Sequence, residues 1–112
     1  MPLIVSEPNV TRQALIALIG KRTPVSKSIS EDEVSYWCSV VARTLGLKRD
    51  GPRIGHCMLR PVRVNGYYKI EVSGDETFIS EILDIVAILY KSGAPVYVRK
   101  PERYLALLDV SE

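Results

Sequence analysis

Apolar residues recur at two different periods along this chain, and the alternation between those periods predicts its elements. Leu15, Ile16, Leu18 and Ile19 supply apolar faces for a first helix from about Val10 to Ile19, with Asn9 as N-cap and Gly20 as a left-handed stop. Lys21-Arg22-Thr23-Pro24 breaks it, because proline cannot donate and biases the residue before it away from helix. Val25 to Ser30 reads as a connector. The second helix is the best specified. Ser30 and Glu33 form a capping box, and Ile29 and Val34 stand at the positions of a hydrophobic staple. Val34, Trp37, Cys38, Val41 and Leu45 then make one stripe at helical period before Gly46. Glu31, Asp32 and Glu33 suit the positive end of its dipole and Arg43 the negative end.

A loop from Leu47 to Gly55 follows, and then the period changes to two. Asn65-Gly66 between Arg-Pro-Val-Arg-Val and Tyr-Tyr-Lys-Ile-Glu-Val predicts a hairpin, since a type I′ turn needs two positive φ angles. A two-residue loop pairs Val64 with Tyr67, Arg63 with Tyr68, Pro61 with Ile70 and Arg60 with Glu71. Pro61 then falls at a non-hydrogen-bonded pair, which puts its strand at a sheet edge or makes it irregular there. A third helix starts near Ser73 or Asp75, carries Phe78, Ile79, Ile82, Leu83, Val86 and Leu89, and ends at Gly93. The end reads as a second hairpin, Pro95 to Lys100 and Tyr104 to Val110, with Pro101 in the turn. The expected fold is therefore one α+β domain over residues 1–112. Two N-terminal helices precede hairpin, helix and hairpin, and the helices pack on one face of a small antiparallel sheet. The expected core is Val34, Trp37, Val41, Leu45, Ile70, Val72, Phe78, Ile82, Val86 and Leu89.

Composition narrows the class. The 112 residues are 46% apolar and 25% charged, the balance of a folded domain rather than a disordered chain. No apolar run approaches the 18 or so residues that span a bilayer, and MPLIVSEP lacks the basic start of a signal peptide, so the expected location is cytoplasmic, without membrane. Cys38 and Cys57 are too few for a disulfide framework and read as small buried side chains. Asn9, Asn65 and Gln13 are the only amides, a depletion that suggests a thermophilic source.

Charge changes the picture most. Between Arg43 and Lys69 lie seven basic residues and one acid, a net +6, while the remaining eight bases and twelve acids sum to −4. Such a field gathers anions, and nucleic-acid backbones are the anions most often bound this way. Tyrosines accompany the cations on both expected hairpins. Tyrosine beside guanidinium on a sheet can stack bases while cations hold phosphates. The candidate nucleic-acid-binding residues are Lys48, Arg49, Arg53, Arg60, Arg63, Tyr67, Lys69, Arg99 and Arg103.

No catalytic constellation joins them. His56 is the one histidine and lacks a second Cys/His pair at ligand spacing, so no metal or other cofactor is expected. His56 and Cys57 are neighbours that project to opposite faces, which separates base from thiol. From Ser30 onward, with the acid-glycine pair Asp50-Gly51 and the entry Val72-Ser-Gly-Asp-Glu-Thr-Phe-Ile-Ser-Glu-Ile-Leu into the third helix, the layout resembles a LAGLIDADG homing-endonuclease domain over residues 30–110. The resemblance implies helix–hairpin–helix–hairpin topology, a sheet lying in a DNA groove, and Asp50 as the metal-binding acid of a symmetric homodimer. A winged-helix arrangement, with Asn65-Gly66 at the wing tip, would instead bring Glu31-Asp32-Glu33 against phosphate. The leading expectation is a module that binds nucleic acid or a nucleoprotein complex without catalysis. The alternatives are a protein-interaction adaptor, docking through the edge near Pro61 or through helix one, and the metal-dependent endonuclease.

Overall fold

A computed structural model describes residues 8–19, 30–64 and 66–110. Helix α1 spans Pro8–Ile19 and α2 Glu31–Leu45. Two short strands, β1 (Arg49–Asp50) and β2 (Arg53–Ile54), precede the long pair β3 (Cys57–Val64) and β4 (Tyr67–Gly74). A 3₁₀ turn, Glu76–Phe78, leads into α3 (Ile79–Lys91), and β5 (Val96–Tyr97) and α4 (Pro101–Val110) complete the chain. The five strands lie side by side in chain order. The molecule is α+β, with α2 and α3 packed on the sheet and α1 lying against α3 and α4.

Local signals account for the elements that match expectation. Ser30 accepts a hydrogen bond from the Glu33 backbone N–H at 3.3 Å, and Gly46 closes α2 at φ 67°. In the β3–β4 hairpin the pairs Arg60–Glu71, Pro61–Ile70, Arg63–Tyr68 and Val64–Tyr67 are those a two-residue loop dictates. Ile70 turns its N–H away from Pro61 and donates it to Pro95 at 2.7 Å, so the proline's missing donor falls on the far side of β3. That side is an edge at Pro61, because β2 covers β3 only at Cys57 and Met58.

Several details differ. The loop expected from Leu47 to Gly55 contains the β1–β2 hairpin. Helix α1 begins at Pro8, so Asn9 lies inside the helix rather than capping it. Of the two expected starts of the third helix, Ser73 and Asp75, the cap is Asp75, which accepts from the Thr77 N–H at 2.8 Å. The larger correction is at the end. Tyr104 to Val110 is helix, not strand; Pro101 is accommodated in its first turn, where a helix needs no N–H and φ is already set. Residues Val96–Tyr97 pair parallel to β4 after the α3 crossover, which makes the sheet mixed rather than antiparallel. Gly20, the connector through Ile29 and the turn residue Asn65 lie outside the described residues.

The core joins α2 and α3 to one face of the sheet. Val34, Val41, Ile70, Val72, Ile82, Val86 and Leu89 are buried as expected. Trp37, Leu45 and Phe78 are only half-buried; Trp37 packs at the rim of the core and edge-on to Tyr36 at 5.2 Å. Leu15, Ile54, Leu59 and Ile85 are fully buried in addition.

Two buried side-chain atoms among the described residues, Thr11 Oγ1 and Asp84 Oδ1, have no hydrogen-bond partner. Asp84 on α3 is 3% exposed. Burial first, and the nearby Glu81 carboxylate second, push its carboxyl up to about 6. An acid whose folded pKa exceeds its unfolded value, about 3.9, stabilises below the lower value and loses that stability as pH rises through the higher one. We therefore expect Asp84→Asn to stabilise the protein by about 2 kcal/mol at pH 8 and by little at pH 4. Urea denaturation of both proteins at the two pH values checks this, and an equal effect at both would contradict it.

Candidate nucleic-acid interface

Strand parity decides which side of the sheet each basic residue takes. Cys57, Leu59 and Ile54 face α2 and α3 with Ile70 and Val72. The opposite face carries Arg53, Met58, Arg60, Val62, Tyr67, Lys69, Glu71 and Ser73, with Tyr97 beside Glu71. Of the nine residues predicted to bind nucleic acid, this face gathers Arg53, Arg60, Tyr67 and Lys69, and Arg99 adjoins it.

Arg49, Arg63 and Lys48 lie apart from it. Arg49 sits opposite Ile54 and is turned to α2, where it donates from Nη2 to Ser35 at 2.9 Å and from Nη1 to Ser39, while its Nε bonds the Gly51 carbonyl at 2.9 Å. It fastens β1 to α2. Arg63 falls on the helix side of the hairpin tip, 5.9 Å from the ring centre of Tyr68. Lys48 is exposed just ahead of β1. Lys69 is 9% exposed, and burial lowers its ammonium pKa. Arg103 and Tyr104 belong to α4 rather than to a second hairpin.

Arg60, Arg99 and Arg103 meet at a cleft of about 250 Å³ that Lys100, Glu71 and Glu76 also line. Glu71 is its anchor. The side chain is 3% exposed, and a buried carboxylate needs charged partners. Arg60, its cross-strand neighbour, donates Nε to Oε1 at 2.9 Å, and Arg99 brings Nη2 to 3.8 Å of Oε2. Glu76 holds Arg103 through both carboxylate oxygens, at 2.7 and 2.9 Å. These arginines remain more than half exposed, so the pairs add little stability and act chiefly to orient guanidinium groups. Four cations against two carboxylates leave an excess of two positive charges. Lys100, at φ 55°, is the only non-glycine residue with left-handed backbone among those described and turns the chain from β5 into α4.

A second cleft, of about 240 Å³, continues from the first through shared Ser73 and Gly74 to Arg53, His56 and Met58. His56 is not incidental. Its ring lies parallel to Phe78 at 3.8 Å, its Nδ1 is 2.9 Å from Glu81 Oε2, and its backbone N–H donates to Glu81 Oε1 at 3.0 Å. Gly55 permits this: its φ is +59°, and a Cβ there would stand 2.5 Å from Glu81 Oε1. Beneath, Cys57 is buried, and burial first and Glu81 second push its thiol up to about 12, which suppresses the thiolate. Burial also raises the Cys38 thiol. Asp50 is exposed and pairs in register with Arg53. No group of three or more His, Cys, Asp or Glu side chains able to hold a metal occurs among the described residues.

Sequence reasoning missed Glu71, Glu76, Glu81, Phe78 and Lys100 as site residues. Only Glu71 had a signal, since the hairpin register already set it opposite Arg60. No protein-family model, curated protein or solved structure matches the chain. Among the described residues, no helix is long and apolar enough to cross a membrane.

Glu71→Gln would keep the shape of the anchor and remove its charge. We expect a loss of about 1–2 kcal/mol, because Arg60 and Arg99 lose a charged acceptor but keep access to water. Chemical denaturation at pH 7 measures it, and an unchanged midpoint would show that Glu71 does not anchor the cleft.

Proposed function

We propose that this chain is a nucleic-acid-binding module without catalysis of its own, acting on free nucleic acid or within a nucleoprotein complex. The observation that carries the reading is the convergence of Arg60, Arg99, Lys100 and Arg103 on one cleft around Glu71 and Glu76. Carboxylate-held guanidinium groups are fixed forks for phosphate oxygens, and their ordering cost is met before the ligand arrives. Arg53 continues the basic line into the second cleft, and Tyr67, 42% exposed near the hairpin tip, offers a ring for stacking. The regional charge of +6 supports the same reading by raising the local concentration of polyanions.

The adaptor alternative draws less support from the β3 edge. Beyond Leu59, whose N–H is taken by the Pro52 carbonyl, Pro61 has no donor, and Arg63 is the one residue of β3 left to turn an N–H outward. An edge so blunted is a poor template for an added strand. The homing-endonuclease reading needs a second copy of the chain to bring two Asp50 carboxylates around divalent metal.

Fluorescence anisotropy with labelled oligonucleotides tests the proposal. We expect micromolar binding at 50 mM salt that falls steeply by 200 mM, with a log–log slope reduced by about one in Arg99→Ala and again in Arg103→Ala. Binding that ignores salt, or no binding at 50 mM, would remove the reading. Incubation with supercoiled plasmid and Mg²⁺ or Mn²⁺ tests its non-catalytic half. Metal-dependent nicking that is absent in Asp50→Asn would overturn that half.

A further inference from the structure

We propose that the cleft at His56 is a ribose subsite, and that the polymer this surface takes is single-stranded RNA. The inference rests on the nucleic-acid reading above and names its ligand class. Arginine and lysine carry only donors, so the first cleft serves the phosphates of DNA and RNA alike. What separates the two polymers is the ribose 2′-hydroxyl, and a fixed acceptor recognises its proton.

His56 is built to be that acceptor. Burial, the largest effect, would raise the pKa of Glu81, but the backbone and ring hydrogen bonds from His56, with the charge of that ring when protonated, outweigh it and keep the carboxylate ionised. An ionised carboxylate only accepts, so the contact at 2.9 Å requires the proton on Nδ1. In the neutral ring Nε2 then bears the lone pair. The parallel stack on Phe78 and the second bond, from the His56 backbone to the same carboxylate, hold the ring's direction. The side chain is nevertheless 57% exposed.

The surroundings complete a sugar-phosphate site. Arg53 supplies a phosphate donor, and Ser73 a hydroxyl that both donates and accepts. At about 240 Å³ the cleft is smaller than the roughly 300–1,000 Å³ of a site for a whole small ligand, and it suits one sugar-phosphate unit. Through Ser73 and Gly74 it is continuous with the arginine cleft, so a strand with its ribose at His56 runs on to Arg60, Arg99 and Arg103. Single strands fit better than duplexes, because the exposed tyrosine on this face stacks only on unpaired bases.

The test compares affinities at 50 mM salt for a 12-nucleotide RNA, the same sequence as DNA, its fully 2′-O-methylated form and an RNA duplex. Wild type should favour the single-stranded RNA over each of the other three by about three- to tenfold, the worth of one hydrogen bond. Methylation is the telling comparison, since it removes the hydroxyl proton and leaves the oxygen. In His56→Phe, which keeps a ring for Phe78, the RNA-to-DNA ratio should fall to about one. Glu81→Gln should do the same, because its amide can donate to Nδ1 and move the ring proton to Nε2. Should the variants fail to fold, the ¹⁵N resonance of Nε2 in wild type decides: it should shift with RNA and stay with DNA. Equal affinity of wild type for RNA and DNA, a ratio that survives His56→Phe, preference for the duplex, or an Nε2 signal indifferent to RNA each overturns the proposal and leaves nucleic-acid binding standing. No binding to any of the four removes both.

Discussion

The β3 and β4 side chains at the two clefts owe their side of the sheet to the pairing of Val64 with Tyr67. That pair fixes parity along β3 and β4. It sends Leu59, Ile70 and Val72 to the helices and Arg60, Lys69 and Glu71 to the other face. A slip of one residue would exchange the two sets. Three apolar side chains, each worth about 1.5–3 kcal/mol when buried, would be exposed, and charged ones driven against α2 and α3. No local interaction in the hairpin rivals that penalty, so burial of the core face fixes the arginines in place. Pro61 tolerates this register because Ile70 turns its N–H to Pro95.

Parity is also why the hairpin was legible in the sequence while the end of the chain was not. Asn-Gly between alternating strands, and Ser30 three residues before Glu33, are signals complete within a few residues. Pro101 is ambiguous at that range. The same residue starts a turn or the first turn of a helix, and the choice fell to packing of α4 against α1, contacts far apart in sequence. Trp37 followed the helical stripe faithfully, yet its bulk leaves it at the rim of the core, where Tyr36 meets it edge-on. The candidate site divides the same way. Arg60 opposite Glu71 is a register fact, whereas His56 and Glu81 are 25 residues apart and meet only once α3 has docked. Arg49 looked like surface charge because its serine partners lie ten and fourteen residues back on α2.

The arginine cleft reverses the usual relation of charge to burial. Here the acid lies inside and the bases outside. Leaving the Glu71 carboxylate, buried to 3% exposure, without a cation would be costly, and it holds Arg60 closely and draws Arg99 near. The guanidinium heads stay wet and keep most of their hydration. The chain thus uses the cost of one buried charge to orient exposed ones, which lysines, as flexible point charges, could not reproduce with the same geometry. A regional charge of +6 has no direction of its own, and the orientation of the guanidinium groups gives it one.

One segment of chain sets both clefts. Glu71 lies within β4, Glu76 opens the 3₁₀ turn and Glu81 lies in the first turn of α3. Their respective partners are Arg60 with Arg99, Arg103, and His56. The three carboxylates therefore reach β3, the turn after β5, α4 and the turn before β3 from a single strand-to-helix junction capped by Asp75. Gly74 lets that junction lie close, since a Cβ there would stand 3.3 Å from Cys57 Sγ and from the His56 carbonyl. Distances between the basic groups are consequently not set by each group's own strand. They are set by how α3 leaves β4, so a displacement of that junction would move the guanidinium groups and the imidazole together. Two clefts that share Ser73 and Gly74 and derive their geometry from one junction form a single surface, with cations along its length and an imidazole near its end.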